Sequence, residues 1–159
     1  MRIGFVTFCT KDYIDILENL IESVLLFSKY DLYVYSINFD YENTSDRIHT
    51  KRLDIEKQTY YNICKAKIIS TLDCPLDVGL ILDGDMIVTN FIDEIFELNI
   101  EKIVDSEFPL FAKHTINPLL FNPEYQVAYK KYTENILKMG WVYASYLFSN
   151  KNKWFFEKV

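Results

Sequence analysis

Two carboxylates separated by a single glycine follow an apolar stretch of the chain. Asp83 and Asp85 come directly after residues 78–82, a run without polar side chains. Such a run predicts a buried strand, and residues two apart in a strand face the same side. Two carboxylates this close repel each other unless a cation lies beside them, and their hard oxygens suit Mn²⁺ or Mg²⁺. The triplet therefore predicts a divalent metal site, whose coordination a diphosphate would complete.

The position of this triplet carries more information than its composition. An Asp-x-Asp triplet also occurs by chance in loops and caps, but open α/β sheets bind ligands at the C-terminal ends of buried strands. Gly84 removes side-chain bulk and lets a ligand or a turn come close. The chain has no glycine-rich phosphate loop, which excludes the two commonest nucleotide cradles. The strand context thus favours a functional interpretation over a structural one.

The elements before the triplet alternate between strands and helices. Apolar runs predict strands at 3–9, 32–38 and 78–82, and helical spacing predicts helices over 14–25 and 58–72. This alternation is typical of a parallel α/β fold. Residues 40–50 are polar and predict a surface loop. The second helix is expected to place Tyr61, Cys64, Ile68 and Leu72 on one face.

Weaker patterns follow the triplet. They predict, in order, a short helix at 91–98, a strand at 110–113, a helical or irregular region at 123–138, a strand at 141–149 and the opening of a helix at 151–159. The last segment begins an apolar face with Trp154, Phe155, Phe156 and Val159, and nothing follows it. We therefore expect the chain to be C-terminally truncated.

Composition narrows the class of protein. The 159 residues fit one domain, and the net charge of −6 without a basic stripe argues against a nucleic-acid partner. Cys9, Cys64 and Cys74 form no zinc signature, and they are expected to be small buried residues in a reducing compartment. The chain shows no signal-peptide layout and no apolar run of about 20 residues, so we expect a cytoplasmic protein without a transmembrane segment.

Several segments together resemble one family. Residues 80–88, LILDGDMIV, resemble the hydrophobic strand and Asp-x-Asp motif of glycosyltransferases with the GT-A fold, especially those of glycosyltransferase family 8. Residues 65–69 resemble the basic position near the donor, and 6–13 resemble the first strand and nucleotide-contacting turn. Residues 91–96 are similar to the short element after the acidic motif. Residues 143–151 are similar to the later strand that lines the sugar pocket.

The resemblance implies a fold and an activity. The expected fold is a Rossmann-like three-layer α/β/α sandwich with a mostly parallel central sheet. Residues 1–90 would form its nucleotide-binding part, and residues 91–159 would begin the sugar and acceptor part. The implied activity is transfer of a sugar from a nucleotide-diphosphate donor, a UDP-sugar above others, with Mn²⁺ or Mg²⁺ as cofactor. The acceptor, whether glycan, lipid or protein, stays open, as does the oligomeric state.

The resemblance also assigns roles to single residues. Asp85 would bind the metal, while Asp83 would contact the metal or the ribose. The donor contacts would come from Thr7, Cys9 and Tyr13 at the base or ribose, and from Lys65 or Lys67 at the phosphate or sugar. Family members usually add a metal ligand, commonly a histidine, from a region beyond the end of this chain. Neither His49 nor His114 lies in a matching motif, so both are predicted to be surface or loop residues.

Two alternatives stay open. The chain could be an inactive or truncated glycosyltransferase-like module that binds without turnover. It could also be a phosphatase of the haloacid dehalogenase type, in which an apolar strand likewise ends in Asp-x-Asp and the first carboxylate attacks phosphorus. That family carries its motif on the first strand, with a small hydroxyl residue soon after. Here the triplet lies beyond position 80 and Met86 and Ile87 follow it.

Overall fold

The computed structural model describes residues 1–57, 59–111 and 145–158. The elements in these residues are β1 (Ile3–Thr10), α1 (Ile14–Phe27), β2 (Asp31–Ile37), β3 (Ile48–Leu53), α2 (Tyr60–Asp73), β4 (Val78–Ile81), α3 (Ile92–Asp105), β5 (Leu110–Phe111), β6 (Tyr146–Ser149) and α4 (Trp154–Glu157). A 3₁₀ turn, Lys11–Tyr13, joins β1 to α1. The predicted region 123–138 lies outside the described residues, as do 112–113, 141–144 and Val159.

The described strands form one sheet in the order β3-β2-β1-β4-β6-β5. Strands β1 to β4 are parallel to one another, whereas β6 runs antiparallel to both β4 and β5. The mostly parallel sheet predicted from the alternating pattern is confirmed. Parallel pairing requires a crossover between consecutive strands, and α1 and α2 supply it before β2 and β4.

Helices cover both faces of this sheet, so the three-layer α/β/α sandwich is confirmed. One face packs against α1 and α3, which contribute Leu17, Val24, Phe96 and Ile103 to a core shared with Phe5 and Leu32 of the sheet. The opposite face packs against α2 and α4, where Ile68, Leu72 and Phe156 meet Val6, Ile81 and Phe148. Strands buried on both faces explain why β1 and β4 are almost continuously apolar. No helix in the described ranges combines the length and apolar composition needed to cross a bilayer.

The third strand departs from the sequence prediction. Residues 40–50 were expected to be a surface loop, but β3 already begins at Ile48 and pairs in parallel with β2. The strand lies at the edge of the sheet, and many of its side chains are exposed. Polar residues are therefore tolerated in it, and the apolar run that would predict a strand is missing. Backbone pairing with β2, from Leu32 opposite Ile48 to Ile37 opposite Leu53, holds it in place. Polar edge strands of this kind also discourage pairing with other molecules.

The apolar face of α2 is buried only in part. Tyr61 is 74 % exposed, and Cys64 is exposed although all three cysteines were expected to be buried, whereas Ile68 and Leu72 pack partly against the core. The buried residues of this helix, among those whose burial is described, are Ala66, Lys67, Ser70 and Thr71. The Ser70 and Thr71 hydroxyls both donate to the carbonyl of Lys67 at 2.9 Å. Because these hydrogen bonds satisfy the polar groups within the helix, a polar face can be buried, and the spacing of apolar residues does not reveal it.

Candidate functional site

The order of the strands places a switch point between β1 and β4. The chain runs outward from β1 to β2 and β3, and then returns to the other side of β1 to form β4. Ligands of open α/β sheets bind at such a switch point, outside the carboxyl ends of the two central strands. The turn Lys11–Tyr13 follows β1 there, and the acidic triplet follows β4. The topology therefore places the predicted site at the expected edge of the sheet.

The acidic triplet forms a turn against the end of β1. The amide of Leu82 donates to the carbonyl of Val6 at 2.8 Å, which extends the pairing of β1 and β4 by one residue. The amide of Met86 then donates to the carbonyl of Asp83 at 3.1 Å and closes the turn. A Cβ atom on Gly84 would lie 3.3 Å from the carbonyl oxygen of Phe8. Glycine thus lets the turn lie directly against the β1 backbone.

A buried lysine meets the first carboxylate of this turn. Lys67 Nζ donates to Asp83 Oδ1 at 2.7 Å, and the lysine side chain is only 10 % exposed. The Asp83 side chain is 29 % exposed, so part of the carboxylate faces solvent. Asp85 is exposed. The site therefore combines one carboxylate held by a cation with a second carboxylate open to ligands.

Two aromatic rings lie near the Lys67 ammonium group, and neither residue was among the predicted site residues. The rings of Phe8 and Tyr146 lie with their centroids 5.9 and 5.8 Å from Lys67 Nζ, within the range of a cation–π interaction. The hydroxyls of Tyr146 and Thr71 are 2.7 Å apart and hydrogen-bonded. Burial raises the pKa of Tyr146, so its ring stays neutral. Phe8 lies on the β1 face that points towards α2, and strand alternation is the signal that would have indicated it.

The other predicted donor residues lie in different environments. Thr7 and Cys9 are buried on β1, and burial raises the pKa of the Cys9 thiol to about 11. Tyr13 is 57 % exposed in the turn after β1, and Lys65 is exposed on α2. The structure therefore brings Lys67 to Asp83, and it leaves Lys65 away from the buried face of the helix. The nucleotide contacts themselves stay predictions.

The carboxylates fit a divalent cation as part of a ligand set. Mg²⁺ and Mn²⁺ accept one or two protein carboxylates together with water and substrate phosphates. Asp85 is exposed and Asp83 is partly exposed, which suits such a shared site. Within residues 1–57, 59–111 and 145–158, no group of three or more His, Cys, Asp or Glu side chains is placed to hold a metal alone. Further ligands would have to come from a diphosphate, water or other parts of the protein.

Of the two histidines, His49 lies on the edge strand β3 and His114 lies outside the described residues. His49 Nε2 is 2.8 Å from Asp31 Oδ2, and its ring packs on Tyr33 with 4.5 Å between centroids. It borders a shallow pocket of about 320 Å³ whose wall also includes Lys51 and Asp73. The charged groups of this wall pair with one another, since Lys51 Nζ lies 2.7 Å from Asp73. His49 is therefore a surface residue, as predicted.

Comparison with known proteins defines the fold. The chain matches no protein family model and no curated protein sequence. Among solved structures it resembles the galactosyltransferase LgtC in complex with donor and acceptor sugar analogues (TM-score 0.57, 16 % identity, 95 % of this chain and 59 % of LgtC). It also resembles the apo form of the glycosyltransferase GlyE of Streptococcus pneumoniae (0.55, 16 %, 99 % and 36 %). A third likeness is to residues 1–349 of TarS of S. aureus (0.51, 10 %, 77 % and 40 %).

The fold is of the GT-A type. The fold class implied by the sequence motifs is thereby confirmed, whereas membership of glycosyltransferase family 8 is not settled by these likenesses. At 10–16 % identity the comparisons establish architecture alone. This chain spans 36 % of GlyE and 59 % of LgtC, so it corresponds to only part of either structure.

Proposed function

We propose that this chain is the donor-binding part of a metal-dependent glycosyltransferase that moves a sugar from a nucleotide diphosphate to an acceptor. One observation carries the proposal. In a GT-A fold, the turn with Asp83 and Asp85 lies at the switch point between β1 and β4, and the buried Lys67 contacts it. Two carboxylates and a lysine ammonium group at the same edge of the sheet can bind a diphosphate when the carboxylates and the phosphates share a divalent metal ion.

Each group has a distinct role in this proposal. Asp85 binds a divalent ion directly, and Asp83 contributes the carboxylate surface that Lys67 leaves exposed. When bound, Mn²⁺ or Mg²⁺ would neutralise charge on the departing nucleotide diphosphate. The turn after β1, with Tyr13, faces the base or ribose. The protein's share of the chemistry is to position the donor and to exclude water.

A nucleotide screen by thermal shift tests the proposal. UDP, GDP, CDP and ADP are each added with and without Mn²⁺, because a ligand that binds only the folded state raises its melting temperature. We expect UDP to stabilise the protein only when Mn²⁺ is present. At a hundredfold excess over Kd, stabilisation would be about 2.7 kcal/mol, roughly 5–10 °C for a domain of this size.

Substitution of the exposed carboxylate identifies the site. Asp85→Ala should abolish the UDP–Mn²⁺ shift and leave the metal-free melting temperature within about 1 °C, because surface substitutions change stability little. Asp46→Ala is the matched control, since Asp46 is also exposed but lies in the loop before β3. A shift that persists in Asp85→Ala, or that needs no metal, would contradict the proposal.

Two activity assays separate the alternatives. Mn²⁺-dependent hydrolysis of UDP-sugars indicates an active transferase, whereas nucleotide binding without hydrolysis indicates a binding module. Release of phosphate from p-nitrophenyl phosphate would instead support the phosphatase. The structure favours transfer over that chemistry, because the acidic turn follows β4, at the centre of the sheet, and not the first strand of the chain.

A further inference from the structure

Burial of the Lys67 ammonium group is unfavourable unless an opposite charge compensates for its lost hydration. The residue is 8 % exposed, and among the described residues its ammonium group lies near the rings of Phe8 and Tyr146 and the carboxylate of Asp83. Removing a charge from water is expensive, and a close hydrogen-bonded ion pair offsets much of that loss. The 2.7 Å contact with Asp83 supplies such a pair. The lysine therefore stabilises the carboxylate at the rim before any ligand arrives.

The surroundings hold the ammonium group in this place. The Ser70 and Thr71 hydroxyls bond the carbonyl of Lys67 itself, and Thr71 is in turn bonded to Tyr146. Rings of Phe8 and Tyr146 each lie within 6 Å of Nζ. These contacts fix the lysine backbone and restrict its side chain. Its position is a property of the packed core and not of a mobile surface chain.

We propose that Lys67 is the resident counter-cation of Asp83 and competes with the divalent ion for this carboxylate. The inference rests on the proposed function, which places a metal ion at Asp83 and Asp85. A divalent ion at Asp83 would meet a fixed positive charge close by, and like charges repel strongly where burial limits screening. Metal binding then requires the ammonium group to share or release Asp83. Lys67 is thus a positioning residue that lowers the affinity of the empty site for free metal.

The test uses Mn²⁺ alone, with its dissociation constant measured by titration calorimetry and by electron paramagnetic resonance. Lys67→Met keeps the length and apolar stem of the side chain and removes the charge. We expect Lys67→Met to bind Mn²⁺ roughly tenfold more tightly than the wild type, since one nearby unit charge no longer opposes the ion. Lys67→Arg retains the charge and should keep the wild-type affinity. Lys102→Met, an exposed lysine on α3, should also leave it unchanged.

A merely structural role predicts no gain in Mn²⁺ affinity. If Lys67 only supported the fold, Lys67→Met would bind Mn²⁺ equally or more weakly, and either outcome overturns the proposal. Metal-free stability should also fall in Lys67→Met and recover in part in Lys67→Met/Asp83→Asn, where no unpaired carboxylate remains. If Lys67→Met does not fold, Lys67→Gln is measured in its place with the same expected direction.

The same measurements distinguish failure of this inference from failure of the proposed function. A wild-type protein that shows the UDP–Mn²⁺ thermal shift while Lys67→Met keeps wild-type Mn²⁺ affinity refutes only the counter-cation role. Absence of Mn²⁺ binding and of the UDP–Mn²⁺ shift in both proteins refutes both. Tighter Mn²⁺ binding in Lys67→Met without any nucleotide shift supports the role of Lys67 and refutes the donor site.

Discussion

The buried hydroxyl of Thr7, next to the acidic turn, has no hydrogen-bond partner among the described residues. Thr7 is fully buried on β1, and its Oγ1 atom bonds no group within residues 1–57, 59–111 and 145–158. This atom would lie 3.9 Å from a Cβ on Gly84. A buried polar group without a partner costs about 1–3 kcal/mol. Thr7→Val replaces the hydroxyl with a methyl group of similar size, so we expect it to raise the free energy of unfolding by about 1 kcal/mol. Urea denaturation followed by circular dichroism measures this change.

The control for this variant is the same substitution at a satisfied hydroxyl. Thr71 Oγ1 bonds both the Lys67 carbonyl and the Tyr146 hydroxyl, so Thr71→Val should instead destabilise the protein by about 1–2 kcal/mol. A loss of stability in Thr7→Val would show that its hydroxyl has a partner in solution. Loss of nucleotide binding in a Thr7→Val variant that is more stable would show instead that the hydroxyl contacts the donor, the role that the family resemblance implies.

Single residues of the site were predictable to different degrees. Asp83 and Asp85 were found because an apolar run of five residues, 78–82, leads directly to them. Lys65 and Lys67 could not be distinguished, since α2 lacks a clear apolar stripe. Two helical residues that are two positions apart point in nearly opposite directions, so only one of them can face the sheet. Tertiary packing decides that this residue is Lys67.

At the level of elements, the contact between β4 and β6 depends on one glycine. Gly79 pairs with Phe148, whose buried ring covers it, and a Cβ on Gly79 would lie 2.2 Å from the ring. Neither the strand nor the ring can move far inside the core. Gly79→Ala should therefore destabilise the protein by about 3 kcal/mol through overpacking. Thermal and urea denaturation measure the loss.

A smaller partner should relieve this clash. In Gly79→Ala/Phe148→Leu the branched side chain is shorter than the ring, and we expect the double variant to be more stable than the sum of the two single changes predicts by at least about 1 kcal/mol. Additive effects would show that the ring does not restrict this position. The sequence contained both residues, but their pairing depends on an antiparallel strand from a distant part of the chain, which local patterns do not reveal.

A carboxylate at the end of α2 links that helix to β2 and β3. Asp73 accepts hydrogen bonds of 2.7 Å from both Tyr35 and Lys51. Burial alone would raise the pKa of Asp73, but the hydrogen bonds from Lys51 and Tyr35 outweigh it and lower the pKa below its ordinary value of 3.8. The folded state thus holds the ionised form more strongly than the unfolded state does. Its contribution is complete above about pH 5 and is lost as the pH falls through the folded-state value.

This link predicts a specific acid dependence. Asp73→Asn should be less stable than the wild type at pH 7, and the difference should shrink as the pH falls below about 4, where the wild-type carboxylate also becomes protonated. Urea denaturation at pH 7, 5, 4 and 3 measures it. Asp54→Asn is the control, because Asp54 is 73 % exposed in its pair with Arg52. A difference between wild type and Asp73→Asn that is constant with pH would contradict the assignment.

At the level of the whole molecule, segments that are far apart in the sequence pack into the same core. The segment 145–158 inserts β6 between β4 and β5 and adds α4 to the face that α2 covers. The apolar opening of a helix at its end was predicted from the sequence. The position of this segment in the sheet was not predicted, because contacts between Tyr146, Phe148 and Phe156 set the register of β6 against β4. Such long-range packing is specified jointly by several segments.

Phe156 is the residue through which α4 secures this arrangement. It is 2 % exposed and stacks on Tyr146 with 4.9 Å between ring centroids. Because Tyr146 also lies over Lys67, Phe156 connects the end of the described chain to the candidate site. Phe156→Ala leaves a cavity at this junction, and we expect a loss of about 3–5 kcal/mol.

The neighbouring tryptophan provides the comparison. Trp154 is on the same helix but 40 % exposed, so Trp154→Ala should cost no more than about 1 kcal/mol. Urea denaturation of both variants by far-ultraviolet circular dichroism gives the two values, and an unchanged m-value indicates that the whole domain still unfolds as one unit. If Phe156→Ala were as stable as Trp154→Ala, α4 would be an appendage to the sheet. A large loss with a single transition means instead that the last described helix and the acidic turn belong to one cooperative structure.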